Sequence, residues 1–285
     1  MSRQAVDIES KNLAKGLMTE NLAPEVEGEE GKPIRLIGLW SKNRPEWTET
    51  LLAGMHYRIV VVGFFDAMGA AQMDFILNQT QLPSMIVAPE YIPKVLQMKK
   101  DGQAGYVKNL ISLGESDQQA GCEAAGIKLV QFTDVVKAGA NASDAPAFEY
   151  PDKFDSYIFS YTSGTTGDSK GVPLTHNSIL KQAIQAMPGM EAREGDAVIS
   201  YLPYPHSFEQ ILLGVTLCCK LRVGFYQGDP LKLVEDCGFL KPAFFPSVPR
   251  LYTRIYSKIK SKFDAETGCK KWLIERALST KLANL

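Results

Sequence analysis

Cysteine is scarce in this chain and poorly placed for cross-linking. Five cysteines stand at positions 122, 218, 219, 237 and 269 of 285 residues. The number is odd and no C-x-x-C pair occurs, which excludes a disulfide framework and a cysteine zinc site. A reducing compartment fits such usage, so the expected location is intracellular, in the cytoplasm or on the cytoplasmic face of an organelle membrane. Histidine is rarer still: His56, His176 and His206 show no metal-ligand spacing. Neither sign of charge dominates, with 31 Lys and Arg against 32 Asp and Glu and a net charge of −1. That balance argues against a nucleic-acid partner, which selects for a basic excess. No apolar run approaches the length of a membrane-spanning helix. Residues 1–20 are polar and mixed in charge, unlike a secretory signal. Internal repeats and low-complexity tracts are absent. So is the Gly-x-Ser-x-Gly elbow of serine hydrolases, because Tyr161 precedes Ser163 by two.

What is present is a hydrophobic share of 45%, enough for a sizeable core, arranged in an alternating pattern. Val6 to Met18 reads as a helix with Val6, Leu13 and Leu17 on one face. The acidic, Gly- and Pro-bearing stretch from Pro24 to Pro33 reads as an exposed loop. Ile34–Trp40, Ile59–Phe65 and Met85–Ala88 read as strands, with helices between them. The first of these helices is signalled by Asn43 and Pro45 and carries Trp47, Leu51 and Met55; the second is Ala70–Thr80. Such alternation predicts a parallel sheet with crossover helices. Lys108–Leu113 and Lys128–Phe132 are further strand candidates, and Ala138 to Pro151 reads as a linker-like loop.

One stretch stands apart. Tyr157–Tyr161 predicts a buried strand, followed by a loop of small hydroxylated residues and glycines from Thr162 to Gly167, then Lys170 and a short apolar run, Val172–Leu174. Gly164, Gly167 and Gly171 let backbone amides approach a ligand closely. Thr162, Ser163, Thr165 and Thr166 add hydroxyls, and Lys170 adds a positive charge. Together these suit a polyphosphate. The composition equally fits a solvated Gly/Thr hairpin loop. The Walker spacing is not met, since Ser169 rather than glycine precedes Lys170.

The order Tyr-Thr-Ser-Gly-Thr-Thr-Gly-x-x-Lys-Gly-Val resembles the phosphate loop of the acyl-adenylate-forming enzymes, in which proline usually stands at the position of Ser169. Downstream, Asn177 is read as the cap of a helix, Ala197–Leu202 and Leu221–Tyr226 as strands, Ser207–Cys219 as a helix, Asp229-Pro230 as a helix start, and Ala243–Pro246 as a short strand. Pro249 opens a helix with Leu251, Ile255 and Ile259 on one side and five basic residues elsewhere. That basic surface could touch an anionic membrane or a phosphate of coenzyme A, and is also an ordinary solvated face.

Tyr201-Leu202-Pro203-Tyr204-Pro205-His206-Ser207-Phe208-Glu209-Gln210 places His206 near a helix N-terminus, where the potential is positive. This segment resembles the Leu-Pro-Leu-x-His-x-x-Glu motif of long-chain acyl-CoA synthetases, with Tyr204, Pro205 and Gln210 as departures. Ser41–Trp47 and the run from Asp229 to Tyr252 are similar to other segments of that subgroup. The resemblance implies an α/β fold: an incomplete, large N-terminal domain of the adenylate-forming fold, spanning residues 1–285, without the small C-terminal domain. It implies ATP-dependent activation of a long-chain fatty acid to acyl-CoA, with ATP, Mg²⁺ and coenzyme A. Thr162, Ser163, Gly164, Thr165, Thr166, Gly167 and Lys170 would hold phosphates, Thr162 would also bind the metal, and His206 and Lys170 would serve catalysis. The family's Tyr-Gly-x-Thr-Glu motif does not occur. The alternatives are a non-catalytic nucleotide- or acyl-binding module and an aryl or amino acid ligase. Acyl length and oligomeric state are not legible.

Overall fold

The computed structural model describes residues 1–28, 31–163 and 169–284. The first unit, Met1–Phe244, opens with α1 (Arg3–Thr19) and a three-residue strand, β1 (Glu25–Glu27). Then the chain alternates: β2 (Pro33–Trp40), α2 (Pro45–Tyr57), β3 (Ile59–Gly63), α3 (Ala70–Thr80), β4 (Ser84–Val87), α4 (Ile92–Lys100), β5 (Asn109–Ser112), α5 (Gln119–Ala124), β6 (Lys128–Gln131) and α6 (Phe132–Asn141). A hairpin of β7 (Ser156–Ser163) and β8 (Ser169–Thr175) follows. These strands form one mainly parallel sheet in the order β6-β5-β4-β2-β3-β7-β8, with β1 antiparallel against the start of β2. From β2 the chain steps through α2 to β3, then α3 carries it back past β2 to β4. The winding direction therefore reverses between β2 and β4, where open α/β sheets keep a crevice at their carboxyl ends.

Both faces of this sheet are covered, which explains why its strands read as continuous apolar runs. Val60 and Val62 pack with Leu36, Met73 and Ile76 on one face. Ile59 and Val61 pack with Ile37, Trp47 and Leu51 on the other. The α1 stripe of Leu13 and Leu17 joins that second cluster. Helices α1 and α6 touch backbone to backbone: a Cβ on Gly139 would lie 1.8 Å from the Asn12 carbonyl oxygen.

A second, two-stranded parallel sheet pairs β9 (Ala197–Ser200) with β10 (Arg222–Phe225). Around it lie α7 (His176–Met190), α8 (Ser207–Cys219) and α9 (Leu233–Leu240). Ala183, Val198, Val215 and Leu221 make its core. The second unit begins at Phe245. It holds α10 (Pro249–Asp264) and α11 (Gly268–Ala283), neither of which buries a residue.

Several expectations change. The loop expected over Pro24–Pro33 contains β1, whose pairing depends on the docked neighbour β2 and leaves no local pattern. The linker expected from Ala138 starts as the end of α6, where Gly139 is kept by its contact with α1. Helices α4 and α5 were not read. The cap of α7 is Thr175, whose Oγ1 accepts from Ser178 N at 3.1 Å, rather than Asn177. Helix α9 begins at Leu233, later than the start read at Asp229-Pro230, and the strand expected near Ala243 reduces to a single bridge between Phe244 and Val198.

Candidate active site

Strand β7 runs on through Thr162 and Ser163, both expected in the loop, because β8 pairs with them. Thr162 faces Lys170 and Ser163 faces Ser169. Directly opposed residues project from the same face of a sheet, so the Thr162 hydroxyl and the Lys170 ammonium leave the hairpin together. Both residues are exposed. Gly164, Thr165, Thr166 and Gly167 lie outside the described residues, as does the side chain of Ser163.

Two hydrogen bonds fasten the hairpin to α3. Gln72 Nε2 donates to Ser169 Oγ at 2.8 Å, and the Tyr161 hydroxyl donates to Gln79 Oε1 at 2.9 Å. Burial pushes the Tyr161 phenol up to about 12, so it stays a donor at neutral pH. Ser169, standing where the resembled enzymes carry proline, is buried and tethered. Gly171 has a different role from the one expected. A Cβ there would come within 3.1 Å of the Tyr161 ring, so its bareness makes room for that ring.

His206 is the N-cap of α8. Its Nδ1 accepts from Phe208 N at 3.1 Å, which leaves Nε2 as the nitrogen that can donate to a ligand. The ring is exposed. Two contacts hold this corner over the carboxyl ends of β3 and β7. Ser160 Oγ donates to the Pro205 carbonyl at 2.6 Å, and Pro205 lies 3.0 Å from where a Gly63 Cβ would be. The departures Tyr204 and Gln210 are both buried. Tyr204 stacks on Trp47 with ring centroids 5.2 Å apart, and its hydroxyl bonds Thr48 Oγ1 at 2.9 Å. Gln210 Nε2 donates to the Tyr204 carbonyl.

Sequence reasoning missed a buried polar junction behind His206. Asn43, read as a helix-start signal, does not cap α2, which begins from Arg44 without a side-chain cap. Its amide nitrogen donates instead to Leu202 O at 2.7 Å, Ser200 Oγ at 2.9 Å and Glu209 Oε1 at 3.5 Å. Ser200 Oγ donates in turn to Glu209 Oε1. One signal was available: Asn43 stands two residues before Pro45, a residue too early to cap from N1.

At the winding reversal between β2 and β4 lies an open cleft of about 350 Å³. Ser41–Glu46, Ala88, Glu90 and Tyr226–Gly228 line it, and Lys42 Nζ reaches Gly228 O at 3.2 Å across it. Its charged rim does not suit an acyl tail. Cleft, His206 corner and hairpin thus follow one another along the carboxyl edge of a single sheet.

A model of the AMP-binding enzyme family matches residues 1–280. The chain belongs to the AMP-binding enzyme family. Long-chain-fatty-acid–CoA ligase 5 of Mus musculus is 31% identical over 254 residues, 87% of this chain and 37% of that protein. Long-chain-fatty-acid–CoA ligase 6 of Homo sapiens is 32% identical over 293 residues, 100% of this chain and 40% of that protein. The chain therefore spans well under half the length of these relatives. In fold it is similar to the adenylation domain of a carboxylate reductase from Mycobacterium chelonae (TM-score 0.77, 16% identity, 94% of this chain and 42% of that one). It is also similar to the A domain of a carboxylic acid reductase from Segniliparus rugosus, solved with AMP and a carboxylic acid (TM-score 0.73, 18% identity, 96% of this chain and 46% of that one).

In this AMP-binding chain no group of three His, Cys, Asp or Glu among the described residues could hold a metal ion. A cation at the hairpin would draw its oxygen donors from a polyphosphate, with the Thr162 hydroxyl adding one neutral, hard oxygen. That donor set fits Mg²⁺ arriving with a nucleotide.

Proposed function

We propose that this chain is the nucleotide- and acyl-holding portion of a long-chain fatty acid:CoA ligase. In that reaction a fatty carboxylate attacks the α-phosphorus of ATP and pyrophosphate leaves; the thiol of coenzyme A then displaces AMP from the acyl-adenylate. The reading is carried by the pairing of Thr162 with Lys170 across the hairpin, on the same sheet edge as His206, and is supported by the curated relatives. Lys170 offsets charge on the β- and γ-phosphates. Thr162 would hold Mg²⁺ alongside those phosphates, and the ion would supply charge neutralisation there. His206, with Nδ1 engaged by Phe208 N, presents Nε2 to the adenylate. Each CH₂ of the acyl tail that leaves water contributes roughly 0.8 kcal/mol. We place the protein in the cytoplasm or on the cytoplasmic face of an organelle membrane, with the basic residues of α10 available to anionic lipid.

A second reading is a module that binds nucleotide without turning it over, which the Thr162–Lys170 pairing serves equally well. Titration calorimetry of the chain with ATP·Mg²⁺, joined to a pyrophosphate-release assay with palmitate, separates the two. Binding without release supports the module, whereas no binding at all removes both readings. A carboxylic acid panel from acetate to palmitate and coumarate, run on the full protein, tests the acyl class.

A further inference from the structure

Glu209 is a carboxyl in a place that does not welcome a charge. It is 3% exposed, and its neighbour Gln210 is 0% exposed. A small cavity of about 10 Å³ beside it is walled mainly by Val198, Ile199, Leu212, Leu213 and Val223. Among the described residues no Lys, Arg or His lines that space. Around the carboxyl, β9 presents Ser200, the loop before α2 presents Asn43, and its own loop presents Tyr204, the other titratable group in the wall. Burial also pushes the Tyr204 phenol up, so it brings no charge.

The two oxygens differ. Oε1 takes the Ser200 hydroxyl and the Asn43 amide, while Oε2 is buried with no hydrogen-bond partner among the described residues. An anion here would leave a buried charge without a cation. The neutral acid leaves only one unsatisfied hydroxyl, which costs far less. We propose that Glu209 is a positioning residue that works as the neutral acid, its Oε1 drawing the Asn43 loop, the end of β9 and the His206 corner together. Removing the proton puts a charge into the apolar pocket and loosens that junction. Burial as the leading cause, raising the carboxyl to about 8, agrees with this.

His206 reports the event from close by, since Glu209 N bonds the His206 carbonyl at 3.1 Å. The role proposed for Glu209 rests on reading His206 as a site residue, but its test needs no nucleotide. The ring carbon resonances of the three histidines are followed by NMR from pH 6 to about 10 in the 285-residue chain. The expected result is an additional step at His206 that Glu209→Gln lacks. The same step in both chains, or none in wild type, overturns the proposal.

A second measurement serves if Glu209→Gln does not fold. In a Glu49→Gln background, needed because Glu49 is also raised to about 7, infrared spectra read the carbonyl band of a protonated, dry carboxyl. The band should be present at neutral pH and vanish in alkali. Its absence at neutral pH overturns the proposal. ATP·Mg²⁺ affinity should fall several-fold between neutral and alkaline pH in wild type and stay level in Glu209→Gln. A chain that shows the spectroscopic step but binds no ATP contradicts the ligase reading and leaves the Glu209 assignment standing.

Discussion

The side-chain nitrogen of Asn43 lies 2.7 Å from the carbonyl oxygen of Leu202, a residue 159 positions further along the chain. This bond joins two of the segments that resemble long-chain acyl-CoA synthetases, the one opening α2 and the one opening α8. It fixes the cleft at the winding reversal relative to the His206 corner. Asn43→Ala should destabilise the fold by roughly 2–4 kcal/mol, because it strands a buried carbonyl and loosens Ser200 and Glu209. Urea unfolding measures this. A loss under about half a kcal/mol would show that the junction carries no stability.

Thr162 and Lys170 are exposed, so their loss should leave stability nearly unchanged while striking the ligand. Thr162→Ala and Lys170→Ala should each weaken ATP·Mg²⁺ binding about tenfold or more, since charge-assisted contacts to phosphate contribute roughly 1.5–3 kcal/mol. Calorimetry reads the affinity and thermal melting the fold. Unaltered affinity in both variants would rule out the hairpin as a phosphate site.

The tether between Gln72 and Ser169 predicts a different pattern. Ser169→Ala should cost about 1 kcal/mol of stability and lower nucleotide affinity without removing any group that touches the ligand. Gln72→Ala should do the same, and the double variant should do no more than either alone, since both delete one bond.

Gly139 tests the crossing of α1 and α6. Gly139→Val should cost more than about 3 kcal/mol or prevent folding, because the added atoms meet the Asn12 carbonyl. Gly105→Ala is the control: among the described residues, apart from its own chain neighbours, nothing lies within 4 Å of its Cβ position, so its melting temperature should hold.

Stability should fall as the solution turns alkaline. Glu49 and Glu209 are held protonated by burial, raised from 4.5 to about 7 and about 8. Above pH 4.5 the unfolded chain releases these protons while the folded chain keeps them, so folding must retain protons that solution would take. Their contribution to stability is complete below pH 4.5, declines as pH rises, and is gone above about 8. Burial lowers His56 and His176, which acts with the opposite sign on the acid side of their ordinary 6.5. Denaturant midpoints between pH 6.5 and 9 should therefore drop in wild type and flatten in the Glu49→Gln, Glu209→Gln chain.

Much of this was written locally. Ile59–Gly63 and Ser84–Val87 were legible as strands because burial on both faces demands unbroken apolar runs. Ala70–Thr80 and Ser207–Cys219 were legible to the residue because their boundaries carry glycine or polar signals. The hairpin residues Thr162 and Lys170 were named from residue order alone. Asn43 and Gly171 were misread for the same reason that β1 was: what each does depends on a partner that only the folded chain supplies, far along the sequence for Asn43 and across a neighbouring strand for Gly171 and β1. Asn43 was taken for a local helix signal and serves Leu202, while Gly171 was taken for ligand clearance and serves the Tyr161 ring.

The linear sequence by itself determined the family, the alternation that forces a parallel sheet, and the residues presented at the hairpin, because each follows from side-chain type and spacing over a few neighbours. Only the tertiary structure decided that Thr162 and Lys170 share a sheet face, that Ser169 hangs on Gln72, and that Glu209 sits in a mainly apolar pocket beside Asn43. Those facts belong to pairs brought together by the sheet order, and burial, which sets the protonation of Glu209, does not exist until the chain has closed around it.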